Sequence, residues 1–248
     1  FAGVIQLLLQ LPFLAQIRVL PRPKWAPKHA GVKRAFKLMI PAIFGSSAAQ
    51  VNVLIGGIIA SMLPVGSISY LYFSDRLMEF PLGIFGIALG TVMLPYLSRL
   101  WSNEEKSSFS ATLDWSLKLA CLIVIPAAIG LFVLAEPLVT VLFFGGEFNE
   151  HAVRMTALAL RAYAAGLVGF SVVKILAPAF FAREDTRTAV RIAIIAMVLN
   201  LVLSIALAWT MTKSGIAAPH AGLAAATSVA AILNALLLYR RLKKDKVL

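Results

Sequence analysis

Cysteine is nearly absent. Cys121 stands alone in 248 residues, inside an apolar stretch, so a disulfide framework is excluded and its plain reading is a small packing residue. Histidine is almost as scarce. His29, His151 and His220 fall in three different connections between apolar segments, so no two share a helix face at the four-residue spacing of a zinc site, and a metalloprotease is excluded. A phosphate-binding loop is missing as well. Gly83, Gly86 and Gly90 resemble a fragment of one, but they lie in an apolar run with no strand and turn before a helix, and the Gly86 to Gly90 spacing suits close helix packing better than ligand binding. Charge is thin too, with Asp, Glu, Lys and Arg making up 14% of the chain.

What fills the chain is hydrocarbon. Apolar residues are 60% of the total, mean hydropathy is +0.88, and the apolar residues come in blocks of about twenty or more, the length that crosses a bilayer. Only helices and closed barrels satisfy the backbone in lipid, and the blocks lack the two-residue alternation of a barrel. An all-α, polytopic membrane bundle is predicted. Polar and Gly/Pro-rich breaks place the spans near 1–19, 34–63, 66–101, 107–135, 150–182, 186–212 and 217–243, a partial span followed by six fuller ones. The fifth of these seven is long, which suggests tilt, a kink near Pro178 or an extension beyond the membrane. The stretch from Glu136 to Phe148 reads as an outer re-entrant or interfacial connection. Phe1 already lies in an apolar run with no basic region before it, so residues 1–33 read as the end of a preceding transmembrane helix plus a basic cytoplasmic linker, and 34–248 as a six-helix domain of a longer protein.

Net charge is +12, yet the location of the charge argues against nucleic acid. Seven basic residues lie in the first loop, from Arg18 to Lys37, with Arg99 and Lys106 in the third, three from Arg183 to Arg191, and five from Arg240 to Lys246. These occupy alternate connections, while the intervening ones carry only Arg154 and Lys213, so the positive-inside rule puts the rich set in the cytoplasm. The Pro-, Lys- and Trp25-containing segment 20–33 then lies along the inner surface, attracted to anionic lipid.

Four cations fall inside the proposed spans: Arg76, Lys118, Arg161 and Lys174. Arg161 can snorkel outward and Lys118 inward, which leaves Lys174 and Arg76 as cavity candidates. Asp75, Arg76 and Glu79 share neighbouring helix faces within one apolar stretch, and ions at that depth must face protein or water. A structural ion pair is one reading. The other is that Pro81 bends the helix and Asp75 orients Arg76, leaving guanidinium donors free for an anion such as phosphate. Asp185, between Arg183 and Arg187 and just before a helix start, reads as a cap with a gating contribution.

The run Tyr70-Leu-Tyr-Phe-Ser-Asp-Arg-Leu-Met-Glu-Phe-Pro81, continuing through Gly83, Gly86 and Gly90 to Pro95, closely resembles the eighth transmembrane helix of the MurJ family of lipid II flippases. Arg183 to Thr188 after Lys174-Ile-Leu176 resembles that family's segment between helices ten and eleven, and His220 to Ala224 with Asn234 to Arg241 resembles its twelfth. The resemblance covers essentially the whole chain. It implies one six-helix lobe of a multidrug/oligosaccharidyl-lipid/polysaccharide exporter-type fold in the bacterial inner membrane, with no enzymatic chemistry. It also implies that the N-terminal lobe is a missing partner. The implied cargo is an undecaprenyl-pyrophosphate-linked disaccharide-pentapeptide, flipped to the outer leaflet by alternating access, with Arg76 as the cavity arginine of this lobe.

The family also has members with a sodium site, whose counterparts here are Asn200, Ser204 and Thr227. Gly56 and Ser204 stand without the carboxylates such a site would use, and helix–helix hydrogen bonding by Asn200 is the alternative. Two further function classes stay open: an exporter of another polyprenyl-linked saccharide or drug, and a membrane scaffold.

Overall fold

The computed structural model describes residues 52–245, Val247, and positions 5, 8, 9, 11, 12, 16, 31, 32 and 50. Residues 1–40 and 41–248 form separate compact units, and the predicted division at 33/34 and the predicted span at 1–19 lie outside the described residues apart from those scattered positions. Within the second unit the helices are α1 (Asn52–Ser61), α2 (Ser67–Ser102), α3 (Lys106–Val133), α4 (Ala135–Phe143), α5 (Glu150–Ala182), α6 (Thr186–Lys213) and α7 (Pro219–Lys244). By length and composition, α3, α5, α6 and α7 can each cross a membrane. Among the described residues there is no strand; Gly145 and Phe148 form an isolated bridge.

Local chemistry sets the helix ends. Asn149 caps α5 by accepting from the Ala152 N–H at 3.0 Å, and Asp185 caps α6 by accepting from the Thr188 N–H at 3.3 Å. The exits of α2 and α5 share one design. The Glu105 N–H donates to the Leu100 carbonyl and the Asp185 N–H to the Phe180 carbonyl, both at 3.0 Å, across Glu104 and Glu184, each at φ 59°. That is the left-handed helix terminus usually given to glycine, here formed by glutamate at a cost of about 1 kcal/mol each. After α6 the same position is Gly215, at φ 66°.

The stretch predicted as an interfacial connection contains α4 and a tight turn, Gly145 to Phe148, with Phe143 and Phe148 packed on Phe73 of α2 at 4.7 and 5.4 Å between ring centroids. α2 runs unbroken through the buried Pro81, and α5 through Pro178.

α5 is the central helix and packs against α2, α3, α4 and α7. Its contact with α7 is the tightest. A Cβ at Gly166 would meet Ser228, and one at Gly169 would meet the backbone of Ala231 and Ile232. Two side chains of α7 also bond to the α5 backbone: Ser228 Oγ donates to the Ala162 carbonyl at 2.7 Å, and His220 Nε2 lies 3.0 Å from the Met155 carbonyl oxygen. On α2, a Cβ at Gly83 would meet nothing within 4 Å. The surroundings of Gly86 and Gly90 lie outside the described residues.

One apolar cluster gathers Leu97, Leu100, Phe109, Ala182, Ala189 and Leu242 at the end of the bundle where the basic connections lie. Another joins Ala60, Ala208 and Leu223 at the opposite end. The connections at 103–105 and 183–185 and the end of α7, predicted to share a side, therefore share an end.

Candidate functional site

Arg76 lies nine residues into the 36-residue α2, about 14 Å from its start. Nη1 donates to Glu79 Oε2 at 2.8 Å, one turn along the same helix, and the guanidinium sits 5.0 Å from the centroid of the Tyr72 ring. The helix itself explains the pairing, since residues three apart share a face. The Arg76 side chain is 57% exposed on the surface of this unit, so the pair leaves most of its five donors open.

Asp75 was expected to neutralise or orient Arg76, and the direct ion pair of the guanidinium is with Glu79. The Asp75 side chain is half-buried and, among the described residues, makes no hydrogen bond or ion pair; successive residues on a helix point about 100° apart, and Glu79 takes the guanidinium instead. Ser74 and Met78, which flank this turn, are buried, so α2 presents Tyr72, Arg76 and Glu79 outward as one polar edge on an apolar helix.

Lys174 does not join that edge. It lines a cavity of about 330 Å³ with Asn52, Asn200, Thr227 and Asn234. The structure thus puts the second cation candidate beside two of the three residues proposed for sodium. Ser204 is buried and its Oγ donates to Asn200 Oδ1 at 3.0 Å, while Thr227 Oγ1 donates to the Leu223 carbonyl at 2.9 Å.

The oxygens at this place are neutral, partly engaged with one another, and adjoin an ammonium rather than a carboxylate. Among the described residues no group of three His, Cys, Asp or Glu could hold a metal ion. A desolvated monovalent cation is best held where negative charge compensates it, and Asn200, Ser204 and Thr227 supply neutral oxygens alone.

The other intramembrane cations are locally paired: Lys118 Nζ with Asp114 Oδ2 at 2.6 Å, and Arg161 with Glu136 at 3.8 Å. Sequence reasoning missed His220, which is buried in the first turn of α7 rather than in a connection, and Arg183, whose burial is described below. The first-turn position of His220 was readable from Pro219 at the helix start. Nothing local distinguishes Arg183 from its exposed neighbours.

A family model described as lipid II flippase MurJ matches residues 1–248. A protein of Vibrio cholerae named probable lipid II flippase MurJ is 49% identical over 240 residues, covering 97% of this chain and 44% of that protein. The Haemophilus influenzae protein of the same name is 47% identical over 251 residues, 99% of this chain and 48% of its own length. The Burkholderia cenocepacia lipid II flippase MurJ is 41% identical over 249 residues, 98% and 46% respectively.

Among solved structures, a lipid II flippase MurJ in an inward closed conformation superposes with a TM-score of 0.74 at 26% identity, over 93% of this chain and 48% of that one. A MATE structure superposes at 0.72 with 20% identity over 86% of this chain and 46% of that one, a likeness of fold alone. The chain spans about half the length of the relatives it matches.

Proposed function

The chain belongs to the MurJ family, and from that premise we propose that it forms one lobe of an inner-membrane carrier that moves a lipid-linked peptidoglycan precursor, lipid II, from the inner to the outer leaflet. The supporting observation is the placement of Arg76: a guanidinium more than half exposed, well inside a 36-residue apolar helix and on its surface. Such a group in contact with hydrocarbon would cost several kcal/mol, so its face is turned to a polar cavity or to the other half of the protein.

Glu79 and the Tyr72 ring hold the guanidinium from one side, and the remaining N–H donors present a planar edge to a pyrophosphate. The carrier needs no covalent chemistry. Its work is to offer a cationic surface at the midplane, between two lobes that open alternately, which offsets the loss of hydration of the cargo's charged head while its polyprenyl tail stays in lipid.

Arg76 supplies the test. In the intact protein, Arg76→Lys keeps the charge and loses the planar fork, so translocation should fall by about tenfold or more while membrane accumulation stays at the level of the unaltered protein. Arg76→Ala should be worse. Full complementation of a flippase-depleted strain by the lysine variant, or loss of activity only in step with loss of protein, would leave Arg76 as a structural ion-pair partner.

A further inference from the structure

Arg183 closes α5 at the end of the bundle that gathers the basic connections. Its side chain is only 13% exposed; Nη2 donates to Asp245 Oδ2 at 3.1 Å, and the guanidinium lies 5.2 Å from the Trp101 ring centroid and 5.9 Å from that of Phe180. Arg241 Nε approaches the other Asp245 oxygen at 3.4 Å, so that carboxylate is already shared between two arginines. Among the described residues, Arg183 Nε and Nη1 are buried and have no hydrogen-bond partner. Unsatisfied donors on a buried cation are an arrangement that folded proteins seldom retain without a ligand or an ordered solvent molecule to accept from them.

Space for such an acceptor adjoins the residue. A cavity of about 360 Å³ is lined by Trp101, Lys106, Phe109, Arg183, Asp245 and Val247. Among the described residues its cations are Arg183 and Lys106 and its one carboxylate, Asp245, is offset by Arg183 and Arg241, so the balance favours an anion. Lys106 is exposed and makes no ion pair or side-chain hydrogen bond among the described residues. The cavity is walled by the ends of α2, α3, α5 and α7, with a tryptophan beside the cations, which is the arrangement found at the headgroup level of a bilayer.

We propose that this cavity binds the phosphate of an anionic phospholipid headgroup, with the free donors of Arg183 and the ammonium of Lys106 receiving its oxygens. The shared chemistry is a singly charged phosphate. The size of the cavity and its level in the membrane favour a phosphodiester on lipid over free phosphate, and the site is separate from the Arg76 edge and independent of the cargo.

The intact purified protein would be titrated with phosphatidylglycerol, phosphatidylcholine and inorganic phosphate, reading thermal stabilisation and lipid retained in native mass spectra. Phosphatidylglycerol should bind saturably and about tenfold more tightly than phosphatidylcholine, and Lys106→Gln and Arg183→Lys should each weaken it at least about fivefold. Arg154→Gln, at the opposite end of α5, should leave that affinity unchanged. If Arg183→Lys accumulates poorly, Lys106→Gln carries the test alone, because Lys106 holds no partner whose loss would unfold the protein. Inorganic phosphate binding with the same dependence on these two residues, while phosphatidylglycerol does not discriminate the variants, would overturn the lipid assignment. Equal affinities of the unaltered protein and both variants for every ligand would overturn the site.

Discussion

His220 of α7 and Met155 of α5 are joined side chain to backbone, with Nε2 3.0 Å from the carbonyl oxygen inside the bundle. A carbonyl only accepts, so Nε2 carries the proton in this contact. Eight residues along α7, Ser228 repeats the device on Ala162, seven residues along α5, so the two helices run parallel and in step. In lipid, where apolar surface gives little drive for helix association, such bonds and close backbone approach hold a crossing together.

His220→Phe should therefore cost about 1 kcal/mol, the net worth of an interhelical hydrogen bond, while His220→Gln, which keeps an N–H, should recover part of it. Thermal unfolding in detergent measures both. Equal stability of all three proteins would show that the contact contributes nothing.

The same crossing predicts a contrast between glycines. Gly169→Ala drives a methyl group into the backbone of Ala231 and Ile232 and should destabilise by about 1–3 kcal/mol, whereas Gly83→Ala meets open space and should be neutral or stabilise by up to about 1 kcal/mol through helix propensity. The reverse order in a pair of melting curves would move the tight contact from the α5–α7 crossing to α2.

Asp185 accepts from the Thr188 N–H at the start of α6, in a connection between two long helices. Asp185→Ala should lower stability by about 1 kcal/mol, and Asp185→Asn by less, since asparagine keeps the capping oxygen. Transport measured alongside separates cap from gate. A fall in rate larger than the stability loss explains would assign the connection a part in lobe movement.

Sidedness follows from the loop charges. With Cys121 replaced by Ala, single cysteines at Lys28, Lys106, Asp185 and Lys244 should react with an impermeant thiol reagent only from the cytoplasmic side, and those at Gly66, Gly146 and Ser214 only from outside. Mixed labelling within either set would break the assignment of the connections to two faces.

The sequence alone determined the elements and their ends. Apolar blocks longer than a bilayer is thick become helices wherever they sit, and the predicted spans at 66–101, 107–135, 150–182, 186–212 and 217–243 match α2, α3, α5, α6 and α7 within two residues because capping is set by neighbours along the chain. The charge of Arg76 inside an apolar span was equally plain. That Arg76 and Glu79 face outward while Asp75 is turned partly inward was not, because the rotation of α2 against α5 decides which face is covered.

That rotation is a property of the whole packed bundle, and the remaining differences follow from it. Helical spacing assigns a residue to a face but does not name the helix that covers that face. Hence Lys174 shares a cavity with Asn200 and Thr227, a close backbone approach falls on Gly166 and Gly169 where α5 crosses α7, and Arg183, one basic residue among several in an exposed connection, is drawn beneath Trp101 by the meeting of four helix ends.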